Sequence, residues 1–141
     1  MPAGFVPGNN VYEVELNFKF DRNDAPFGLD LCVGEGRRLP VRFDPSTDTF
    51  TVDRTNCADV EIEKFPMTKS EVIATDGENL HMRIFVDQSS VEIFLEEGHH
   101  SFSFLTYPSE NQYGLEFYSE GKGPRCSYKI WPLESIWKKI D

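Results

Sequence analysis

The chain has 141 residues, 39% of them hydrophobic and 27% charged, with a net charge of −10 from 24 acidic and 14 basic side chains. A single domain of that length hides roughly two-thirds of its unfolded surface, so its core needs no disulfide or metal to staple it. The charge argues against nucleic acid and anionic membranes as partners, because both select clustered Lys and Arg, and the only basic doublets are Arg37-Arg38 and Lys138-Lys139; a neutral partner such as a sugar stays open.

Residues 1–10, with two Pro, two Gly and Asn9-Asn10, read as a lead-in or linker to a single domain over 11–141. They lack the basic start and apolar run of a signal peptide, and no segment holds the roughly 18 apolar residues of a membrane span. Period 2 then begins. Tyr12, Val14, Leu16, Phe18 and Phe20 alternate with Glu13, Glu15, Asn17 and Lys19, which predicts a strand with one dry and one wet face. The DRNDAP stretch ends it at Pro26.

Phe27, Leu29, Leu31 and Val33 alternate with Gly28, Asp30 and Cys32 up to the turn GEGRR. Leu39, Val41 and Phe43 follow, then the turn at 44–48 and a short strand at Phe50 and Val52. Residues 55–79 are less regular, with Val60, Ile62, Val72 and Ile73 available for local pairing. Leu80, Met82, Ile84 and Val86 face one way and His81, Arg83 and Phe85 the other; Val91, Ile93 and Leu95 oppose Ser90, Glu92 and Phe94. The run from His99 stops at Pro108, Tyr113, Leu115 and Phe117 alternate next, and GKGP turns the chain into Cys126, Tyr128 and Ile130. A turn or two of helix is expected only within 132–141. About ten short strands with turn signals every 8–12 residues predict an all-β sandwich or barrel.

Cys32, Cys57 and Cys126 are odd in number and far apart, without the spacing of a zinc site. They read as free thiols in a reducing compartment, which places the protein in the cytoplasm. Neither metal nor cofactor is expected. Ser89 and Ser90 would need a base within hydrogen-bond reach to act as nucleophiles, and His81, His99 and His100 are the three histidines available. Asp87, Gln88, Ser89 and Ser90 are turn-forming residues between alternating flanks, so a hairpin tip is favoured over a triad. Asp87 and Glu92 as a carboxylate pair would both sit in water at strand ends, without the surroundings that set one carboxyl apart. His99 and His100, being adjacent on a strand, point to opposite faces and cannot share one ion. Phe85, Phe94, Tyr118 and Trp131 are outward aromatics that suit a second interface or, less readily, a sugar ring.

The stretch LHMRIFVDQSSVEIFLEEGHHSFSFLTYP, residues 80–108, closely resembles the C-terminal module of glycoside hydrolase family 32, the family of invertases, fructan hydrolases and sucrose-6-phosphate hydrolases. FGLDL at 27–31, TVDR at 51–54 and WPLESIW at 131–137 support the resemblance, which runs from about Val11 to Trp137. It implies a two-sheet antiparallel β-sandwich, a lectin-like jelly roll of the concanavalin kind. It also implies that catalysis belongs to an N-terminal propeller of the same parent chain, on fructose-containing carbohydrate. The sandwich would shield and brace that propeller, help it oligomerise or frame its cleft, and present an apolar patch to it; a carbohydrate-binding module is the alternative. The family's catalytic motifs are an Asn-Asp-Pro-Asn stretch, an Arg-Asp-Pro and a Glu-Cys. None occurs here: Pro7-Gly8-Asn9-Asn10 lacks the acid, Phe43 interrupts Arg42 and Asp44-Pro45, and the cysteines follow Leu31, Asn56 and Arg125. No catalytic residue is therefore carried over to this chain.

Overall fold

The computed structural model describes residues 4–5, 11–55, 68–87, 90–96, 98–105, 114–121 and 123–132. Among them are eleven strands and no helix: β1 (Gly4–Phe5), β2 (Tyr12–Lys19), β3 (Phe27–Gly34), β4 (Arg37–Asp44), β5 (Thr49–Asp53), β6 (Thr68–Val72), β7 (Asn79–Val86), β8 (Ser90–Leu95), β9 (His100–Leu105), β10 (Gly114–Ser119) and β11 (Arg125–Pro132). They form two antiparallel sheets, a six-stranded one in the order β1-β10-β3-β4-β5-β6 and a five-stranded one in the order β11-β2-β7-β8-β9. The sandwich implied by the sequence is the fold. The helical expectation at 132–141 and the pairing of Val60 and Ile62 fall outside the described residues, apart from Pro132, which closes β11.

Strict alternation builds the core. Tyr12, Val14, Leu16 and Phe18 of β2 are buried, as are Leu80, Met82, Ile84 and Val86 of the neighbouring β7, and the register Val14↔Ile84 and Leu16↔Met82 sets them side by side. Against them pack Phe27, Leu29 and Leu31 of β3, Leu39, Val41 and Phe43 of β4, and Phe50 and Val52 of β5. Where the chain crosses between sheets after β2, Phe20 stays in the core, with ring centroids 5.7 Å from Phe27 and 5.5 Å from Phe43. Phe50 and Phe102 meet at 5.0 Å near the other side. Each buried aromatic contributes about 1.5–3 kcal/mol over leaving it in water.

β3 breaks the alternation. The pattern predicts Val33 inward and Cys32 outward, but Cys32 is in the core and Val33 is only half-buried. The cause is a β-bulge: Leu31 pairs with Leu39 and Gly34 with Arg37, so β3 carries one residue more than β4 over that span. Cys32 takes the left-handed conformation (φ 51°) that the extra residue requires. The bulge is followed by a two-residue hairpin in which Glu35 and Gly36 both have positive φ (55° and 73°), the turn that matches the right-handed twist of its strands.

The two open sides of the sandwich close differently. On one, Lys69 and Glu71 of the edge strand β6 reach across to β9: Glu71 Oε1 lies 3.2 Å from His100 Nδ1, and Lys69 Nζ sits 5.0 Å from the centre of the Phe102 ring. Charged groups on an edge strand also discourage pairing with another chain. On the other side, Phe117 of β10 meets Tyr128 of β11 at 5.3 Å, and Cys126 and Ile130 pack half-buried beside them. Burial there pushes the Cys126 thiol up to about 12. Iodoacetamide at pH 8 should therefore label Cys126, followed on its own tryptic peptide by mass spectrometry, at least about a hundredfold more slowly than free cysteine. Labelling within fivefold of free cysteine would show that this edge opens readily.

Candidate functional site

The residues that alternate out of the five-stranded sheet form rows across it. Trp131, Glu13, Phe85 and Glu92 lie in one row, and Lys129, Glu15, Arg83 and Phe94 in the next. Asn17 and His81 pair in a third. A depression of about 520 Å³ opens on this face, lined by Glu15, His81, Arg83, Phe85, Phe94 and Gly98.

Its floor is polar and held in place. The Arg83 guanidinium bridges two carboxylates, with Nε 3.0 Å from Glu13 Oε2 and Nη2 2.8 Å from Glu15 Oε2. His81 Nε2 reaches the same Glu15 oxygen at 3.4 Å. The His81 contact first, and Arg83 beside it, hold the Glu15 carboxyl below the usual carboxylate range against the opposing effect of desolvation. The position of His81 is fixed from behind: Glu96 donates its N–H to the His81 carbonyl at 3.1 Å, and the His81 N–H donates to Glu96 Oε1 at 3.2 Å. Glu96 has φ 52°, the left-handed turn that ends β8. Aromatic rings form the wall. Phe85 and Phe94 stand edge to face, centroids 5.8 Å apart and planes at 85°, an orientation favoured by the ring quadrupoles.

The outer face of the six-stranded sheet carries a different polar group. Asp30, buried, faces Arg38 at 2.6 Å and Arg42 at 2.8 Å, and Arg38 reaches Glu116 at 3.1 Å. The Arg42 guanidinium lies 3.5 Å above the Tyr118 ring.

Of the serine and carboxylate candidates, the described ones, Ser90, Asp87 and Glu92, do not assemble into chemistry. β7 and β8 pair up to Val86↔Val91, and the Asp87 N–H donates to the Ser90 carbonyl at 2.8 Å, so the stretch is a hairpin with Asp87 and Ser90 flanking its tip. Gln88 and Ser89 lie outside the described residues. His81 is six residues along β7 from the tip, about 20 Å at strand rise, too far to deprotonate Ser90. His100 is directed to Glu71 on the opposite sheet. Asp87 and Glu92 are both exposed, without the apolar surroundings that set apart an acid and a base. Among the described residues no group of three or more His, Cys, Asp or Glu converges as metal ligands would. Of the four outward aromatics, Phe85, Phe94 and Trp131 share the face of the depression, whereas Tyr118 lies on the other sheet beneath Arg42. The large apolar side chains exposed among the described residues are Val72 and Trp131, on different sheets, so the apolar patch expected for docking is not found on them.

What sequence reading missed is the polar floor. Glu13, Glu15, His81 and Arg83 are each visible as wet-face residues, but Glu15 and Arg83 are 68 residues apart and only the register of β2 on β7 joins them.

Comparison with known proteins fits this geometry. Residues 3–132 match the family model described as glycosyl hydrolases family 32 C terminal. The levanase of Bacillus sp. (strain L7) is 30% identical over 135 residues, 93% of this chain, and the levanase of Bacillus subtilis (strain 168) is 30% identical over 132 residues, 91% of it. The chain spans only 15% and 20% of the length of those two levanases. Among solved structures, the exo-inulinase of Aspergillus awamori superposes with a TM-score of 0.85 at 23% identity, covering 95% of this chain and 27% of that one. With its two-sheet sandwich, and with the family model matched along nearly its whole length, the chain belongs to the C-terminal family of the family 32 glycosyl hydrolases.

Proposed function

We propose that this sandwich serves a family 32 enzyme that cleaves fructose polymers, and that its work there is to brace the catalytic propeller rather than to catalyse. The observation that carries the reading is the pair of levanases that are 30% identical across more than nine-tenths of the chain, in which the matched part is a fifth of the length or less. The absence of all three family catalytic motifs from the sequence agrees with it.

The test has two arms. The purified 141-residue chain should release no detectable reducing sugar from levan, inulin or sucrose. Fused after the catalytic domain of a levanase in place of that enzyme's own sandwich, it should raise the melting temperature of the catalytic domain by several degrees over the domain alone, a shift that corresponds to about 1–2 kcal/mol. Turnover by the isolated chain, abolished by Asp87→Asn or Glu92→Gln, would overturn the assignment. So would a fusion whose catalytic domain melts as if the sandwich were absent.

A further inference from the structure

The depression on the five-stranded sheet has the chemistry of a ligand site rather than of a merely solvated face. We infer that it binds a short neutral oligosaccharide, laid across the strands from Phe85 and Phe94 towards Trp131.

Three features converge on a sugar. First, Phe85 and Phe94 make a right-angled apolar corner, which suits the C–H face and edge of a sugar ring. Second, Arg83 donates Nη2 to Glu15 and pairs with Glu13 as an ion pair without hydrogen-bond alignment, which orients its guanidinium before any ligand arrives. Among the described residues His81 and Arg83 both meet Glu15 at Oε2, which leaves Oε1 to accept. A guanidinium donor beside a carboxylate acceptor matches two neighbouring hydroxyls, each of which donates and accepts. Third, the space of about 520 Å³ lies in the range of small-molecule sites.

The same face says what kind of sugar. Arg83 is already balanced by two carboxylates, and Glu92 lies in the row of Glu13. With Lys129 the only other cation in the two rows, an anionic ligand would meet net repulsion, so sugar phosphates are disfavoured. Trp131, 40% exposed, is two strands away from Phe85 in the same row, about 10 Å at normal strand spacing. A second ring platform at that distance fits an oligosaccharide rather than a single unit, and it gives an exposed tryptophan a purpose. The choice of fructose units rests on the levanase-type reading above; the neutral-sugar site stands without it.

Titration calorimetry and amide chemical shifts of the 141-residue chain against 1-kestose, maltotriose and fructose 6-phosphate test the inference. Saturable binding of 1-kestose, with shifts at Phe85, Phe94 and Trp131 and none with fructose 6-phosphate, is expected. Phe94→Leu and Trp131→Ala should each weaken it about five- to tenfold, while Tyr118→Leu on the opposite sheet leaves it unchanged. Circular dichroism on each variant separates lost binding from lost fold, and Phe94→Leu keeps most of the buried volume. No heat and no shifts at 20 mM trisaccharide with the chain folded would overturn the site, as would binding indifferent to both aromatic substitutions. Binding of maltotriose but not 1-kestose would overturn the fructose assignment alone, and the fusion experiment above would be unaffected by that result.

Discussion

A Gly28→Ala chain should lose about 3–5 kcal/mol of folding free energy, enough to leave much of it unfolded at 37 °C. Gly28 sits in β3, inside the six-stranded sheet, paired with Arg42 on one side and Tyr118 on the other. A Cβ built there would lie 1.9 Å from the Val41 carbonyl oxygen, 2.9 Å from its carbon and 3.2 Å from the Arg42 Cα. All three are backbone atoms, so no rotamer change relieves the collision and β3 must part from β4. The missing side chain also leaves the outer surface of the strand free for the Tyr118 ring and the Arg42 guanidinium above it. Gly36→Ala is the control. Its Cβ would meet nothing within 4 Å, and only its positive φ of 73° opposes substitution, at about 1 kcal/mol. Urea unfolding followed by tryptophan fluorescence compares the two; a Gly28→Ala midpoint equal to that of Gly36→Ala would show that the β3–β4 spacing yields to a methyl group at little cost.

That contrast marks what can be read from the sequence. The dry faces of β2 and β7 were legible because alternation is enforced wherever one side of a strand meets a core: Tyr12 to Phe18 and Leu80 to Val86 keep period 2 without a slip. The hairpin at Asp87–Ser90 was legible because its turn residues interrupt two such runs. The bulge at Cys32 was not, since an inserted residue leaves the composition of a strand unchanged and only the pairing of Leu31 and Gly34 across to β4 exposes it. Val72 and Ile73 illustrate the same limit at an edge. They look alike in sequence, yet Val72 ends an exposed edge strand while Ile73 is buried, its N–H donating to the Asp48 carbonyl at 2.7 Å. The candidate site is further still from legibility. Its two rings are nine residues apart, within one hairpin, and could be guessed; its Arg83 clamp depends on β2, whose position beside β7 follows from the whole sandwich topology.

Asp30→Ala is the other large effect expected, at about 3 kcal/mol. Asp30 is nearly closed off from water on the outer face of β3, and its two oxygens are divided between two guanidinium groups, Oδ2 at 2.6 Å from Arg38 and Oδ1 at 2.8 Å from Arg42. The first contact is a hydrogen bond; the second is an ion pair without hydrogen-bond alignment. Removing the carboxylate strands Arg42, which is three-quarters buried between Tyr118 and the strand and donates Nη1 to the Leu29 and Val41 carbonyls. A buried charge that loses its partner costs about 3–5 kcal/mol. The lower end applies because Arg38 is half exposed, keeps Glu116 as a partner, and contributes little once water screens it. Asp30→Leu combined with Arg42→Met should recover part of the loss, since an apolar pair of similar volume needs no counter-charge. The double variant should therefore be more stable than Asp30→Leu alone, a difference that no independent sum of two destabilising changes produces. If Asp30→Ala instead falls within about 0.5 kcal/mol of the parent, the network is worth no more than a surface ion pair, and the burial of Asp30 has another cause.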